Sequence, residues 1–373
     1  MTGSLANPST LMALAIPNTV IWGYSVGGAI FIIGLCVIFL SGDWQKARGF
    51  DKLILFGPLF YAMPLAAFGT EHFTTAKLIA SFVPRWIPWH LFWAYFVGTC
   101  FILGTLSMVT RIQARLSASL LALNFFLFVV LMDIPTWLHH PGNRFALTFV
   151  LRELAFCGGP LALAAMLTDQ WRKHETHILA TVARYFIAVP VLFYSFEQFI
   201  HPDHVPGVPL EPLTPTWIWG HAVWTYVAAV VYMVAGLPLL FGKKTRAAAL
   251  WIGLTVIFLL VLDYALGGGL ANGFYPLLNM RVLFGTILVL GTLIYAVTAS
   301  PFLLGQRPRA VAACVGLCVL LIVLIVYVPI AVSQFASLDN GLNYIFDTLM
   351  FCGAVLLLAG AMPHETQQQK TTG

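Results

Sequence analysis

The chain has 373 residues, 60% of them hydrophobic and only 9% charged, with a formal net charge of +5. A soluble domain keeps about a quarter of its residues charged, so this composition excludes a water-soluble protein and points to one embedded in lipid. The basic excess lies in short clusters with no long stripe for a phosphate backbone to follow, which excludes nucleic acid as a partner.

In chain order, the opening stretch MTGSLANPST lacks the basic n-region of a cleavable leader, so the first span is expected to persist. Eleven apolar stretches approach the length that crosses a bilayer as helix. They run over about 19–40, 53–70, 89–110, 115–133, 146–168, 178–200, 217–240, 247–266, 279–299, 309–332 and 345–362. Pro64, Pro190 and Pro329 fall inside spans, where a missing backbone donor invites a kink. The tail HETQQQKTTG reads as disordered. The fold class predicted is therefore all-α, a polytopic transmembrane helical bundle.

The basic residues orient these spans. Fourteen Lys and Arg fall in one set of loops, whereas Lys77, Arg85, Arg144 and Arg281 make up the other. Short cytoplasmic loops carry the basic excess, so the N-terminus is expected outside and the C-terminus inside the cytoplasmic membrane. The six cysteines, Cys36, Cys100, Cys157, Cys314, Cys318 and Cys352, all lie within apolar runs and form no CxxC pair. They read as small buried hydrophobes, not as a disulfide framework or a metal site.

The stretch WIPWHLFWAY at Trp86–Tyr95 returns as WIWGHAVWTY at Trp217–Tyr226. Residues 86–135 match 217–266 at 11 of 50 positions, Arg115 aligning with Arg246. Upstream, FYAMPLAAFGTEHF from Phe60 aligns with FIAVPVLFYSFEQF from Phe186, pairing Pro64 with Pro190 and Glu71 with Glu197. Fainter echoes pair Arg115 with Arg309, Pro135 with Pro329, and FCGGPLALAAM at Phe156 with FCGAVLLLAGAM at Phe351. Both copies enter the membrane from the same side, so the repeat is parallel, unlike the inverted repeats of many transporters.

The ionisable residues of the spans gather at one depth. His90 and His221 open their spans, Glu71 and Glu197 close the preceding ones, and Asp133 ends the fourth. Asp263 lies near the outer end of the eighth span, Arg152 and Glu153 stand about two turns into the fifth, and Asp347 begins the eleventh. A charge in hydrocarbon is expensive and faces another polar group, a cavity or the interface. Arg152 has Glu71 or Glu153 to neutralise, and an imidazole can hydrogen-bond a carboxylate. Arg152 and Glu153 point about 100 degrees apart on a helix and need not pair. Trp86, Trp89, Trp93, Trp217, Trp219 and Trp224 read as aromatic belts; His139 and His140 read as external loop. No CxxCH, Walker loop, HExxH or dinucleotide fingerprint occurs. The pattern admits a quinone as cofactor and disfavours haem, and it names no metal site.

The stretches EHF, VPRWIPWHLFWAYFVGTCFILGTLSMV and RLSASLLALNFFLFVVLMDIP make residues 53–168 resemble the DoxX-like membrane family. The marks are Pro84 to Pro88, Gly98 and Gly104, and Arg115. The resemblance implies four-helix units: 53–168 as one and 178–362 as a second, enlarged or interrupted copy. They follow an N-terminal helix and basic loop over 1–52 and precede the tail at 363–373. It also implies an accessory or assembly subunit near quinone-linked redox work, with membrane redox-complex subunits as partners beside the lipid bilayer. A transporter or channel, and a non-catalytic structural protein, are the alternative expectations. Whether the chain is itself an enzyme stays open.

Overall fold

In a computed structural model, the chain is described over residues 18–168, 173–204, 207–208, 221–241, 308–324 and 338–361. Helix α1 (Asn18–Leu40) leads through the short α2 (Asp43–Lys46) and α3 (Phe50–Ile54) into α4 (Gly57–Thr74), which carries Pro58 in its first turn. A short α5 (Ala76–Phe82) precedes α6 (His90–Thr110) and α7 (Ala114–Phe128). The last runs through a π-helical turn, Val129–Asp133, into α8 (Ile134–His139). Then come α9 (Arg144–Met166), α10 (Lys173–Ile200), α11 (His221–Phe241), α12 (Pro308–Ile322) and α13 (Leu338–Ala361).

Six helical stretches among the described residues are long and apolar enough to cross a membrane: Val20–Leu40, Asp51–Thr74, His90–Thr110, Ala114–His139, Arg144–Met166 and Thr176–Ile200. Shorter apolar helices cover Ala222–Leu237 and Ile345–Ala361. The protein is therefore a polytopic, all-helical membrane protein, as its composition requires: in lipid a helix satisfies its own backbone donors and acceptors. The stretches 247–266 and 279–299 lie outside the described residues.

Three boundaries differ from the sequence reading. The second span runs on to Thr74, so Glu71 stands in its last turn. The fourth does not end at Asp133: the chain inserts a π turn there and stays helical to His139, which takes that histidine out of a loop. The last helix begins at Leu338, leaving Asp347 well inside it. In each case polar residues made the sequence look like interface, whereas the helix runs through them; Asp347 is accommodated there by pairing with Arg152.

Helices α9 and α13 form the centre. The first packs on α7, α10 and α13, and the second on α4, α9 and α12. The two run in the same direction, because contacts step along both together. Arg152 meets Asp347, and seven residues later a Cβ on Gly159 would stand 3.0 Å from Ala354 Cβ. Small residues permit this approach, as expected where apolar lipid gives no hydrophobic drive and packing must bind the helices. Around the pair, Tyr61, Phe156, Tyr194, Tyr232 and Phe351 are essentially fully buried.

Outward-facing positions are apolar. Trp86 and Trp89 are 70% and 77% exposed, and Leu103, Leu116, Leu120 and Leu123 continue an apolar surface along α6 and α7. That is a lipid-facing surface with aromatic residues at one end.

Candidate functional site

Asn143 caps α9, its side-chain oxygen accepting from Ala146 N at 3.2 Å, so the helix starts with a satisfied donor. From there α9 presents two arginines to two different neighbours. Arg144 at the first turn grips Glu197 of α10, donating from Nε at 2.8 Å and from Nη2 at 2.6 Å to the same carboxylate oxygen. About two turns further, Arg152 turns to α13 and donates from Nη1 to Asp347 Oδ2 at 2.9 Å.

Arg152 also donates from Nη2 to Glu153 Oε1 at 2.7 Å. Adjacent positions on a helix diverge, but the long arginine side chain folds back far enough to bridge them. The guanidinium carbon sits 4.2 Å from the centre of the Phe149 ring and 5.7 Å from that of Phe156, a cation–π setting that helps a desolvated cation. The side chains of Arg152, Glu153 and Asp347 are only 15%, 11% and 4% exposed. Such a pair contributes when geometry is good and further hydrogen bonds fill the remaining valences.

Those valences are not all filled. Arg152 Nε, Glu153 Oε2, Asp133 Oδ2, and the hydroxyls of Tyr194 and Thr348 are buried without a hydrogen-bond partner. Asp133 comes from the π turn and stands within Coulombic reach of both Glu153 and Arg152. Single π turns inside α-helices recur at functional sites. The hydroxyl of Tyr194, a fully buried residue of α10, is within reach of Arg152, Asp347 and Glu153. One guanidinium thus binds two carboxyls, with a third within Coulombic reach.

Of the residues singled out in the sequence, the fold brings Arg152, Glu153 and Asp347 into contact and leaves Asp133 within Coulombic reach of the first two. Glu197 is engaged apart, by Arg144, whose role the loop reading missed. Glu71 lies in the last turn of α4 and His90 at the start of α6, half-buried. His221 opens α11, and Asp263 lies outside the described residues. No group of three His, Cys, Asp or Glu side chains converges as metal ligands among the described residues.

At the opposite end of the bundle, Arg111 Nη1 lies 2.6 Å from Asp43 Oδ2, tying the end of α6 to the first residue of α2. The Ser41 hydroxyl, donating at 2.8 Å, and then Arg111 hold the Asp43 carboxyl below its ordinary range. The two ends differ in kind: a partly solvated clasp here, a desolvated ionic cluster there.

No family model, curated protein or solved structure matches the chain.

Proposed function

We propose that this chain is an accessory or assembly subunit for quinone-linked redox work in the cytoplasmic membrane, with its N-terminus outside and the Arg152 cluster in the outer half. The observation that carries the reading is the cluster itself. Glu153 and Asp347 hold one guanidinium inside a membrane domain, with Asp133 within Coulombic reach and carboxylate oxygens left unpartnered. Ionisable groups held in a membrane at such cost mark proton or substrate handling, and a carboxyl that can gain and lose a proton suits the chemistry of a quinone.

We also read the bundle as two DoxX-like units, α4–α6–α7–α9 and α10–α11–α12–α13, the second interrupted by residues 242–307. Matched contacts support this. Cys157 donates to Ala122 O at 3.2 Å, and Cys352, its counterpart in the FCG repeat, donates to Gly316 O at 3.0 Å; the alignment pairs Ala122 with Gly316. Gly158 packs on Ile187, and its counterpart Gly353 packs on Tyr61, which aligns with Ile187. Gly69 approaches the Gly98 carbonyl, and at the aligned positions Ser195 donates to Ala229 O at 2.7 Å. On this reading the first helix of each unit seats against the last helix of the other. The ionic cluster then sits where both last helices meet.

The test is mild-detergent purification from the native membrane with identification of co-purifying proteins and quinones. The reading expects a reproducible redox partner or bound quinone whose yield falls in Asp133→Asn and Glu153→Gln. A protein recovered alone and free of quinone under those conditions would contradict it.

A further inference from the structure

We propose that the segment 75–89, between the spans α4 and α6, is an interfacial anchor that binds anionic phospholipid. Leu78, Phe82, Trp86 and Trp89 enter the boundary between acyl chains and headgroups, and Lys77 and Arg85 take lipid phosphates. The anchor stands apart from the Arg152 cluster and does not depend on how that cluster is read.

Local structure turns this segment outward. In α5, Ala76 is buried against the bundle, whereas Leu78 and Phe82, neighbours on one helix face, are each 59% exposed. Lys77 and Arg85 are exposed as well. The chain then makes a tight turn, Ile87 N donating to Pro84 O at 2.9 Å. Trp89 follows in left-handed backbone, φ 58 and ψ 49, a conformation that brings Cβ too close to the next carbonyl oxygen. Trp93 locks it there: its ring Nε1 donates to Pro88 O at 3.1 Å and its backbone nitrogen to Trp89 O at 3.2 Å. The turn so held presents Trp86 and Trp89, the most exposed of all Phe, Tyr and Trp among the described residues. Backbone strain persists only where something compensates it. A ring this exposed gains little from its own chain, so the compensation comes from outside.

Two observations identify what lies outside. The exposed apolar face runs on into the lipid-facing side of α6 at Phe92 and Phe96, and indoles favour the headgroup level where that side ends. Apolar residues beside basic ones are also the composition of segments that lie in the plane of an interface. Charge then selects the lipid. Residues 72–132 contain no Asp or Glu, and neither Lys77 nor Arg85 has an ion-pair partner among the described residues. Arg144, at the same end of the bundle, is already taken by Glu197. Two cations beside apolar rings, without a counter-ion of their own, fit the phosphates of a negatively charged leaflet.

The experiment measures tryptophan quenching in the full-length protein, held in phosphatidylcholine nanodiscs. A minor share of the lipid is either phosphatidylglycerol or phosphatidylcholine, brominated near the headgroup end of its acyl chains. Subtracting the signal of Trp86→Phe/Trp89→Phe isolates the two indoles. The proposal expects them to be quenched more by the brominated phosphatidylglycerol. That preference should fall about fivefold for each cation removed in Lys77→Gln and Arg85→Gln, and should fade as NaCl is raised. All four side chains are exposed, so these changes spare the core, and the salt series needs the wild type and its indole control alone. Equal quenching by both lipids would overturn the proposal and point to a protein partner for this face. Absence of quenching by either, or a preference indifferent to salt or to the loss of both cations, would overturn it too.

Discussion

Arg152 of α9 and Asp347 of α13 form a 2.9 Å ion pair, and they occupy the same position in two like-sequence stretches, RELAFCGG and DTLMFCGA. Two parallel helices thus carry opposite charges at matched points and meet through them. Were both residues basic or both acidic, the same packing would bury a repulsion. The pair fixes which helix sits beside which, and at what register, in a medium where apolar packing alone distinguishes registers poorly. The same cation also holds Glu153.

The matched glycines separate two kinds of close packing. A Cβ on Gly353 would run into the backbone nitrogen of Tyr61, which has nowhere to go, whereas one on Gly158 would meet the Ile187 side chain at 2.7 Å. Overpacking costs about 1–3 kcal/mol, the more where backbone must move. Gly353→Ala is expected to lower thermal stability in detergent clearly more than Gly158→Ala. Equal losses would contradict the asymmetry.

The Arg144–Glu197 pair is bidentate but partly solvated, with the arginine side chain 34% exposed. Solvent screening limits such a pair to about 1 kcal/mol. Glu197→Gln is expected to lower stability by no more than that, as read from thermal melting in detergent. A clearly larger loss would contradict the solvated character of the pair.

Acid should weaken the clasp at the opposite end. The Asp43 carboxyl, held low by Ser41 and then Arg111, contributes stability that is fully present above the ordinary aspartate value of about 3.9. That contribution is lost as pH falls through the lower folded value. Because the clasp is largely solvated, the effect is at most about 1 kcal/mol. Asp43→Asn should therefore melt slightly below wild type at neutral pH and converge with it in acid. A gap that stays constant over the whole range would mean Asp43 acts through packing instead.

Much of the bundle was legible in the sequence because span length and apolar runs are set by the bilayer. The starts of α6, α9 and α10 fall within a few residues of their sequence limits. That Arg152 and Glu153 would need polar company was legible too, since hydrocarbon leaves a charge few places. Their partners were not. Glu197 looked equivalent to Glu71, but Arg144, read as a loop residue, sits on α9 and takes it. Asp133 looked terminal because a carboxylate normally stops an apolar run, and only the π turn shows it directed inward. A signal for the central pair was present: extending the FCG alignment five residues upstream sets Arg152 opposite Asp347. Helix direction then makes them neighbours, which no composition or periodicity can supply.

The account turns on the Arg152–Asp347 pair, and a double-mutant cycle measures it most directly. Stability of the full chain in nanodiscs would be compared for wild type, Arg152→Met, Asp347→Leu and the double variant. Removing one partner of a buried pair costs about 3–5 kcal/mol because the other charge is stranded, whereas replacing both is often nearly neutral. The expected result is that Arg152→Met is the most damaging change, because it strands both Asp347 and Glu153, and that adding Asp347→Leu to it recovers part of the loss, with coupling of at least about 2 kcal/mol. Single losses that simply add in the double variant would contradict it, since the two residues would then not meet in the membrane.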